Sequence, residues 1–178
     1  MKKTFLSMLV LTLLLILFLY PPGINAADNL IFKGTLVKET CQILPGDDDL
    51  TLDFGDLTDD ELYSKGRTKS YLVKLHLVNC DFNAISEAVL TFDGNESVAL
   101  PGLLNIDSSS KASGIAIGFE SADGNFWPIK KPYNEPVSSA SVEVVFYAYV
   151  QAEPSAITNK SITPGGFTST ASFLIDYF

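Results

Sequence analysis

The sequence is poor in the side chains from which catalytic sites are built. It has a single histidine, His76, and a single tryptophan, and it contains no GxSxG, HExxH or phosphate-binding glycine motif. His76 lies in a strand-like context between two leucines, which favours a surface or packed histidine over a catalytic one. We therefore expect no enzymatic activity, no cofactor and no bound metal.

Basic residues are also few. There are 12 lysines and arginines against 21 aspartates and glutamates, which gives a net charge of −9 and disfavours binding to nucleic acid or anionic lipid. The acidic residues between positions 47 and 61 have two interpretations. One is a Ca²⁺ site, although the order of ligands found in an EF-hand is absent. The other, which we favour, is a solvated acidic edge. These residues are Asp47, Asp48, Asp49, Asp53, Asp56, Asp59, Asp60 and Glu61.

The only long uncharged hydrophobic run lies at the N-terminus. Residues 5–20 follow two lysines and precede Pro21, Pro22 and Gly23, and Ala26 offers a small residue at a cleavage point. This order predicts a secretory signal peptide over residues 1–26. A membrane anchor is the alternative, but the run is short for a span of about 20 residues. Cleavage after Ala26 leaves 152 of the 178 residues, which is the size of one domain.

Cysteine is restricted to Cys41 and Cys80. In an exported chain an even cysteine count favours a disulfide, and closing a loop of about 40 residues is worth roughly 4 kcal/mol. A redox or metal-binding pair is the alternative, but the CxxC spacing and accompanying histidines are missing.

Residues typical of β-strands follow one another along the mature chain, and no window of twelve residues has a helical stripe. Turn-forming residues separate these segments, so the sequence predicts an all-β sandwich of immunoglobulin-like type. Residues 59–63 are expected to form a short helical turn. The predicted strands cover residues 30–37, 50–54, 70–79, 88–92, 114–120, 142–151 and 167–177.

The last fourteen residues, 165–178, alternate between two faces up to the final residue. We predict one continuous strand here, with one face buried. No residues follow that could form its neighbour, so the neighbouring strand must come from elsewhere in the chain or from another molecule.

A second alternating segment lies directly after the predicted cleavage point. Leu30, Phe32, Gly34 and Leu36 share one face, and a glycine inside a strand is typical of close approach by another backbone. Pattern alone leaves open whether this is the first strand of the chain's own sandwich or a strand offered to another molecule.

The order of several features resembles a known family. The features are Cys41 and Cys80, an Asp53-Phe54-Gly55 triplet between them, Gly165 fourteenth from the end and Tyr177 as the penultimate residue. Together they resemble the subunits of bacterial chaperone–usher fimbriae. Residues 90–94, 99–102, 148–150, 160–165 and 171–177 are similar to minor adaptor subunits of P-type fimbriae, whereas Phe178 departs from the polar or basic residue expected there.

The resemblance implies an incomplete immunoglobulin-like sandwich that lacks its last strand and is completed by a donor strand from another molecule. Residues 27–37 would be the N-terminal donor extension and residues 38–178 the pilin domain. The implied donor residues are Leu30, Phe32, Gly34 and Leu36. The implied acceptor groove and chaperone-binding strand comprise Gly165, Phe167, Ala171, Phe173, Ile175, Tyr177 and Phe178.

The resemblance also implies partners and a location. The partners would be a periplasmic pilus chaperone, an outer-membrane usher and neighbouring fimbrial subunits, and the chain would pass through the periplasm to a cell-surface fimbrium that contributes to adhesion. A minor adaptor role is favoured. The alternatives are a major rod subunit, or a self-contained secreted β-sandwich that binds a carbohydrate through Trp127, a residue for which a core or turn position is the other interpretation.

Overall fold

The structure is a computed structural model that describes residues 40–178. The predicted signal peptide and donor residues Leu30, Phe32, Gly34 and Leu36 therefore lie outside the described residues. In the described part the strands are β1 (Gln42–Ile43), β2 (Tyr71–Val78), β3 (Glu87–Gly94), β4 (Leu104–Asn105), β5 (Ile115–Ser121), β6 (Phe126–Trp127), β7 (Pro132–Pro136), β8 (Ser141–Ala152) and β9 (Ala171–Tyr177).

The strands form two antiparallel sheets. The larger sheet has the order β1-β2-β8-β5-β4, with β6 also paired to β5, and the smaller sheet has the order β7-β3-β9. The fold is an immunoglobulin-like β-sandwich, as the sequence predicts. Strand β9 thus lies at one edge of the smaller sheet, and β1 lies at one edge of the larger sheet.

Alternating side chains place the core between the two sheets. In β2, Leu75 and Leu77 are buried while Lys74 and His76 lie on the opposite face, as the period of two in a strand requires. The centre of the core is aromatic: the ring of Phe92 lies 4.6 Å from Phe119 and 4.7 Å from Trp127 between centroids.

Two helices, α1 (Asp59–Lys65) and α2 (Pro154–Asn159), interrupt the strands. The predicted helical turn at residues 59–63 is confirmed and extends to Lys65. Thr58 accepts a hydrogen bond from the Glu61 backbone N–H at the N-cap, and Gly66 ends the helix in the left-handed region. Sequence reasoning missed α2, which is too short to show a helical stripe.

Two strand predictions are wrong in part. Residues 50–54 belong to no strand, although Leu52 and Phe54 pack against the core. The C-terminal strand begins at Ala171 instead of position 165 or 167, because the preceding segment bonds to a loop. Within it, the Thr168 carbonyl accepts from the Asp107 N–H at 2.8 Å.

The predicted disulfide is present. Cys41 and Cys80 are bonded across a sequence separation of 39 residues. The bond joins the residue before β1 to a residue shortly after β2, so it fastens the edge strand of the larger sheet to its neighbour. In the part of the chain from residue 40 onward, no helix is long and apolar enough to cross a membrane.

Candidate strand-accepting groove

Strand β9 carries a half-buried apolar face at the edge of the smaller sheet. Its only partner strand among the described residues is β3. Four side chains alternate toward the core and are neither fully buried nor fully exposed, whereas Leu174 on the other face is 60% exposed. The four are Ala171, Phe173, Ile175 and Tyr177.

The ladder with β3 determines which backbone groups face outward. Phe178 and Glu87 exchange both backbone hydrogen bonds, at 3.0 and 3.1 Å. Because bonded and non-bonded pairs alternate in an antiparallel ladder, Leu174 bonds to β3, whereas Phe173 and Ile175 direct their N–H and C=O groups away from it. The same residues thus present apolar side chains to the core and ladder groups to an additional strand.

A second wall faces this edge. A cleft of about 530 Å³ lies between β9 and the segment around β1. Ile43 is half-buried against the core and also pairs with Leu77 of β2. Among residues 40–178 no strand of either sheet covers the cleft. The lining residues are Cys41, Gln42, Ile43, Pro45, Phe173, Leu174, Ile175 and Tyr177.

We call this cleft, with β9 and residues 41–45 as its walls, the groove. Phe54 and Phe167 do not line the cleft, and their ring centroids lie 6.1 Å apart. Leu52, Phe54 and Phe167 are half-buried and pack against the same core cluster as Ile43 and the inward side chains of β9.

The opposite edge of the smaller sheet is built differently. Strand β7 has a proline at each end, Pro132 and Pro136, and proline supplies no N–H to a ladder. Glu135 lies in register with the buried Ala88. Burial raises the pKa of Glu135, since desolvation disfavours the charged carboxylate. Edge prolines and inward charges oppose strand addition, so only the β9 edge of this sheet is suited to it.

Gly165 and Phe178 occupy the two ends of the predicted acceptor segment. A Cβ atom on Gly165 would lie 2.7 Å from the Lys111 Cβ and 3.0 Å from the Lys111 backbone carbonyl carbon. Glycine therefore allows the chain at position 165 to approach Lys111 this closely. Phe178 has a 68% exposed side chain, and its carbonyl accepts hydrogen bonds from the N–H groups of Ser86 and Glu87. Its backbone extends the β3 ladder, and its ring lies outside the groove.

The lone histidine lies on the outer face of the larger sheet. His76 Nδ1 is 2.8 Å from Asp47 Oδ2, and its Nε2 is 3.1 Å from Glu143 Oε2. Lys74 Nζ donates to the same glutamate at 3.0 Å. The hydrogen bond to Asp47 is the main cause that raises the pKa of His76, and Asp47 in turn has a lowered pKa, mainly through the His76 backbone N–H.

The structure also places the other candidate residues. Trp127 is 3% exposed and donates from Nε1 to the Lys131 carbonyl at 2.9 Å, so it is a core residue and offers no ring face to a carbohydrate. Several of the acidic residues accept local backbone bonds: Asp48 from Gly46 and Asp53 from Gly55. Within residues 40–178 no group of three or more His, Cys, Asp or Glu side chains is arranged to hold a metal ion.

Sequence reasoning identified the β9 wall and missed the facing one. Ile43 and Pro45 lie in a segment with only two strand residues, which is too short for a periodic pattern. The apolar alternation of Leu52 and Phe54, which the sequence interpretation assigned to a strand, lies outside this wall.

Comparisons with known proteins agree with this architecture. The sequence model described as "Fimbrial protein" matches residues 30–178. The chain is 29% identical over 169 residues to the minor fimbrial subunit PmfF of Proteus mirabilis, which covers 90% of this chain and 93% of that protein. It is 31% identical over 164 residues to the fimbrial adapter PapK of Escherichia coli, covering 87% and 90%. The P pilus rod subunit PapA shares the fold with a TM-score of 0.68 at 22% identity, over 79% of this chain and 100% of that one.

Proposed function

This chain belongs to the fimbrial protein family, and we propose that it is an adaptor-type subunit that joins its neighbours by donor-strand exchange. A fimbrial subunit assembles with neighbouring subunits at the cell surface. In the proposed joint, a strand from another molecule lies in the groove between β9 and residues 41–45, and residues 27–37 of this chain occupy the groove of the next subunit. The likeness to PapK and PmfF supports the adaptor role over that of a major rod subunit.

The observation that carries the proposal is that, within residues 40–178, one edge combines half-buried apolar side chains with ladder groups that no described strand pairs. Phe173 and Ile175 present apolar side chains that are only half-buried and backbone groups that point away from β3. An added strand would satisfy both, since strand addition combines a backbone ladder with side-chain pockets. Burying an apolar side chain contributes about 1.5–3 kcal/mol.

An open apolar edge also explains the proposed partners. Such an edge is an aggregation hazard, so the exported chain needs a strand in its groove before it meets other subunits. We assign that temporary strand to a periplasmic chaperone, and the release of the chaperone to an outer-membrane usher. Removal of residues 1–26 as a signal peptide precedes both steps.

A proline scan of β9 tests the mechanism. Ile175→Pro removes an N–H that faces the groove and leaves the β3 ladder intact, whereas Leu174→Pro removes an N–H that the ladder uses. The assay measures capture by the mature chain of a labelled peptide with the sequence of residues 27–38, which stands in for the donor strand of a neighbouring subunit. We expect Ile175→Pro to fold and to capture the peptide roughly tenfold less well, since a lost buried hydrogen bond costs ~1–3 kcal/mol.

Two comparisons make the assay specific. Ile175→Ala keeps the N–H and shortens the side chain, so it separates the ladder contribution from side-chain burial. Leu174→Pro is expected to destabilise the chain itself. Wild-type capture by Ile175→Pro, or no capture by the unmodified chain, contradicts the proposed mechanism.

A further inference from the structure

His76 is held between two carboxylates that come from different parts of the chain. Asp47 belongs to the loop after β1, and Glu143 belongs to β8, where it is the direct cross-strand partner of His76. The imidazole side chain is 34% exposed and the Asp47 side chain 15% exposed. The ring therefore links the loop to the sheet at a site that solvent protons can reach.

The loop is attached to β2 through a side chain that replaces a main-chain acceptor. The Leu44 N–H donates to the His76 carbonyl at 2.9 Å, so a regular ladder would return a bond from the His76 N–H to the Leu44 carbonyl. Instead the His76 N–H donates to Asp47 Oδ2 at 2.7 Å, and the Leu44 carbonyl accepts from the Asp47 N–H. One carboxylate oxygen thus holds both the backbone and the ring of His76.

This attachment adjoins the groove. Ile43 and Pro45, which line it, lie within four residues of Asp47, and β1 itself has only two residues. Cys41, the short ladder and the Gln42 side chain, which accepts from Asn79 Nδ2 at 2.9 Å, hold the start of this wall, and the contacts of Asp47 with His76 hold its other end.

We propose that His76 is a proton-operated clamp that fixes the β1 wall of the groove more firmly in mildly acidic than in alkaline solution. The proposal rests on the proposed function only for the role of the groove, since the clamp itself is a property of the loop. A neutral imidazole has one N–H and can donate to one of the two carboxylates. An imidazolium has two N–H groups and donates to both.

The direction of the pH dependence follows from the partners of the ring. The charged groups that face it are Asp47 from the loop, Glu143 from β8 and, through Glu143, Lys74 of β2. Hydrogen bonding to Asp47 and then to Glu143 raises the pKa of His76. The stabilisation is therefore complete below the ordinary histidine value of about 6.5 and is lost as pH rises through the raised pKa.

The titration of His76 can be followed without overlapping signals from other imidazoles, because His76 is the only histidine of the sequence. NMR titration of the mature chain, purified without a histidine tag, reports the midpoint of this one ring. We expect a midpoint above 6.5, with each unit of increase corresponding to ~tenfold preference of the closed loop for the protonated ring. Exchange protection of the His76 backbone amide, corrected for intrinsic rates, should fall as pH rises through the same midpoint.

Matched variants separate the clamp from a general charge effect. Asp47→Asn should lower the midpoint and remove the pH dependence of His76 amide protection. Asp49→Asn makes the same charge change two residues away, on a side chain with no partner among the described residues, and should change neither. A wild-type midpoint at or below 6.5, or equal effects of the two variants, overturns the proposal.

A second measurement connects the clamp to the groove. Dissociation of the peptide of residues 27–38 should be slower at pH 6 than at pH 8, and His76→Gln should abolish the difference. If the midpoint is raised but dissociation does not depend on pH, the clamp does not act on the groove and the proposal is overturned in that respect. If no peptide binds at all, the proposed function fails while the titration result stands.

Discussion

At the scale of single residues, a glycine allows one aromatic ring to lie flat on the larger sheet. A Cβ on Gly118 of β5 would overlap the Tyr149 ring of β8. The guanidinium of Arg67 lies 3.7 Å from the centroid of the same ring, a cation–π arrangement. Tyr149 is 4% exposed, so the stack depends on the missing side chain at position 118.

Gly118→Ala should therefore destabilise the fold. The added methyl group forces the Tyr149 ring to move, and overpacking of this kind costs about 1–3 kcal/mol. The urea midpoint of the purified chain measures the effect. Gly166→Ala is the control, because a Cβ there meets nothing within 4 Å; a similar loss in both variants would mean that glycine flexibility, and not the ring contact, is responsible.

Arg67 also fixes a partly buried carboxylate, that of Glu120. Its Nη1 lies 2.6 Å from Glu120 Oε1, and Ser70 Oγ donates to the other oxygen at 2.6 Å. Arg67 is the main cause that lowers the pKa of Glu120. The resulting stabilisation is present above the ordinary glutamate value of about 4.3 and is lost as pH falls through the lowered pKa.

Arg67→Met should cost roughly 1.5–3 kcal/mol near neutral pH, the range for hydrogen bonds to charged groups. The deficit relative to the unmodified chain should shrink as pH falls below about 4.3 and through the lowered pKa of Glu120, since the unmodified chain then loses its charged pair. Denaturation at several pH values measures this. Lys65→Met, which breaks the exposed pair with Glu61, should change stability by less than ~1 kcal/mol, and a pH-independent deficit in Arg67→Met would contradict the assignment.

At the scale of elements, the two edge strands of the smaller sheet differ in how well they can accept another strand. In β7, the proline at each end and the inward Glu135 oppose the addition of another strand. In β9, Phe173 and Ile175 present half-buried apolar side chains to an added strand. The raised pKa of Glu135 means that its charged form opposes folding above that pKa. The charged Glu135 thus lowers the stability of the chain at neutral pH, and it also opposes the addition of a strand to β7.

Glu135→Val tests whether the charge at this position costs stability and prevents association through β7. Removing the half-buried charge should raise the urea midpoint at pH 7, and its loss should promote self-association through β7, measured by light scattering or sedimentation. Asn134→Val adds the same side chain one position away, on the outer face of the same strand. If that variant associates equally, exposed apolar surface and not the edge charge is the cause.

The sequence predicted elements with clear alternation and missed those without it. Strands β2, β3, β5 and β8 lie within one or two residues of their predicted bounds, because a sheet that buries one face imposes period two on its residues. Strand β7 was missed, since its two prolines oppose a strand assignment. Residues 165–170 alternate but bond to the loop that contains Asp107 and Lys111, a long-range choice that the local pattern does not encode.

At the scale of the whole molecule, the disulfide determines how firmly the β1 wall of the groove is attached to the larger sheet. Cys41 lies directly before β1, whose ladder with β2 has two residue pairs, and Cys80 follows β2. The β9 wall, by contrast, has a seven-residue ladder with β3. The β1 wall therefore relies on covalent attachment more than the β9 wall does.

The double variant Cys41→Ser with Cys80→Ser should lose about 4 kcal/mol of stability, the chain-entropy value for a loop of this length. We also expect weaker capture of the peptide of residues 27–38, because the β1 wall frays. The urea midpoint and the capture assay measure the two effects separately. Loss of stability with unchanged capture, under conditions where the variant remains folded, would show that this wall contributes little to the groove.

The sequence by itself determined the sandwich class, the disulfide partners and the apolar alternation of the last strand, since each depends on local periodicity or on the two cysteines available. Only the tertiary structure decided that Phe173 and Ile175 turn their ladder groups outward, because that depends on the pairing of Phe178 with Glu87. It also decided that Ile43 and Pro45 face them across the groove and that Asp47 holds His76. These contacts join residues far apart in the chain, and the folding of two sheets against each other fixes them.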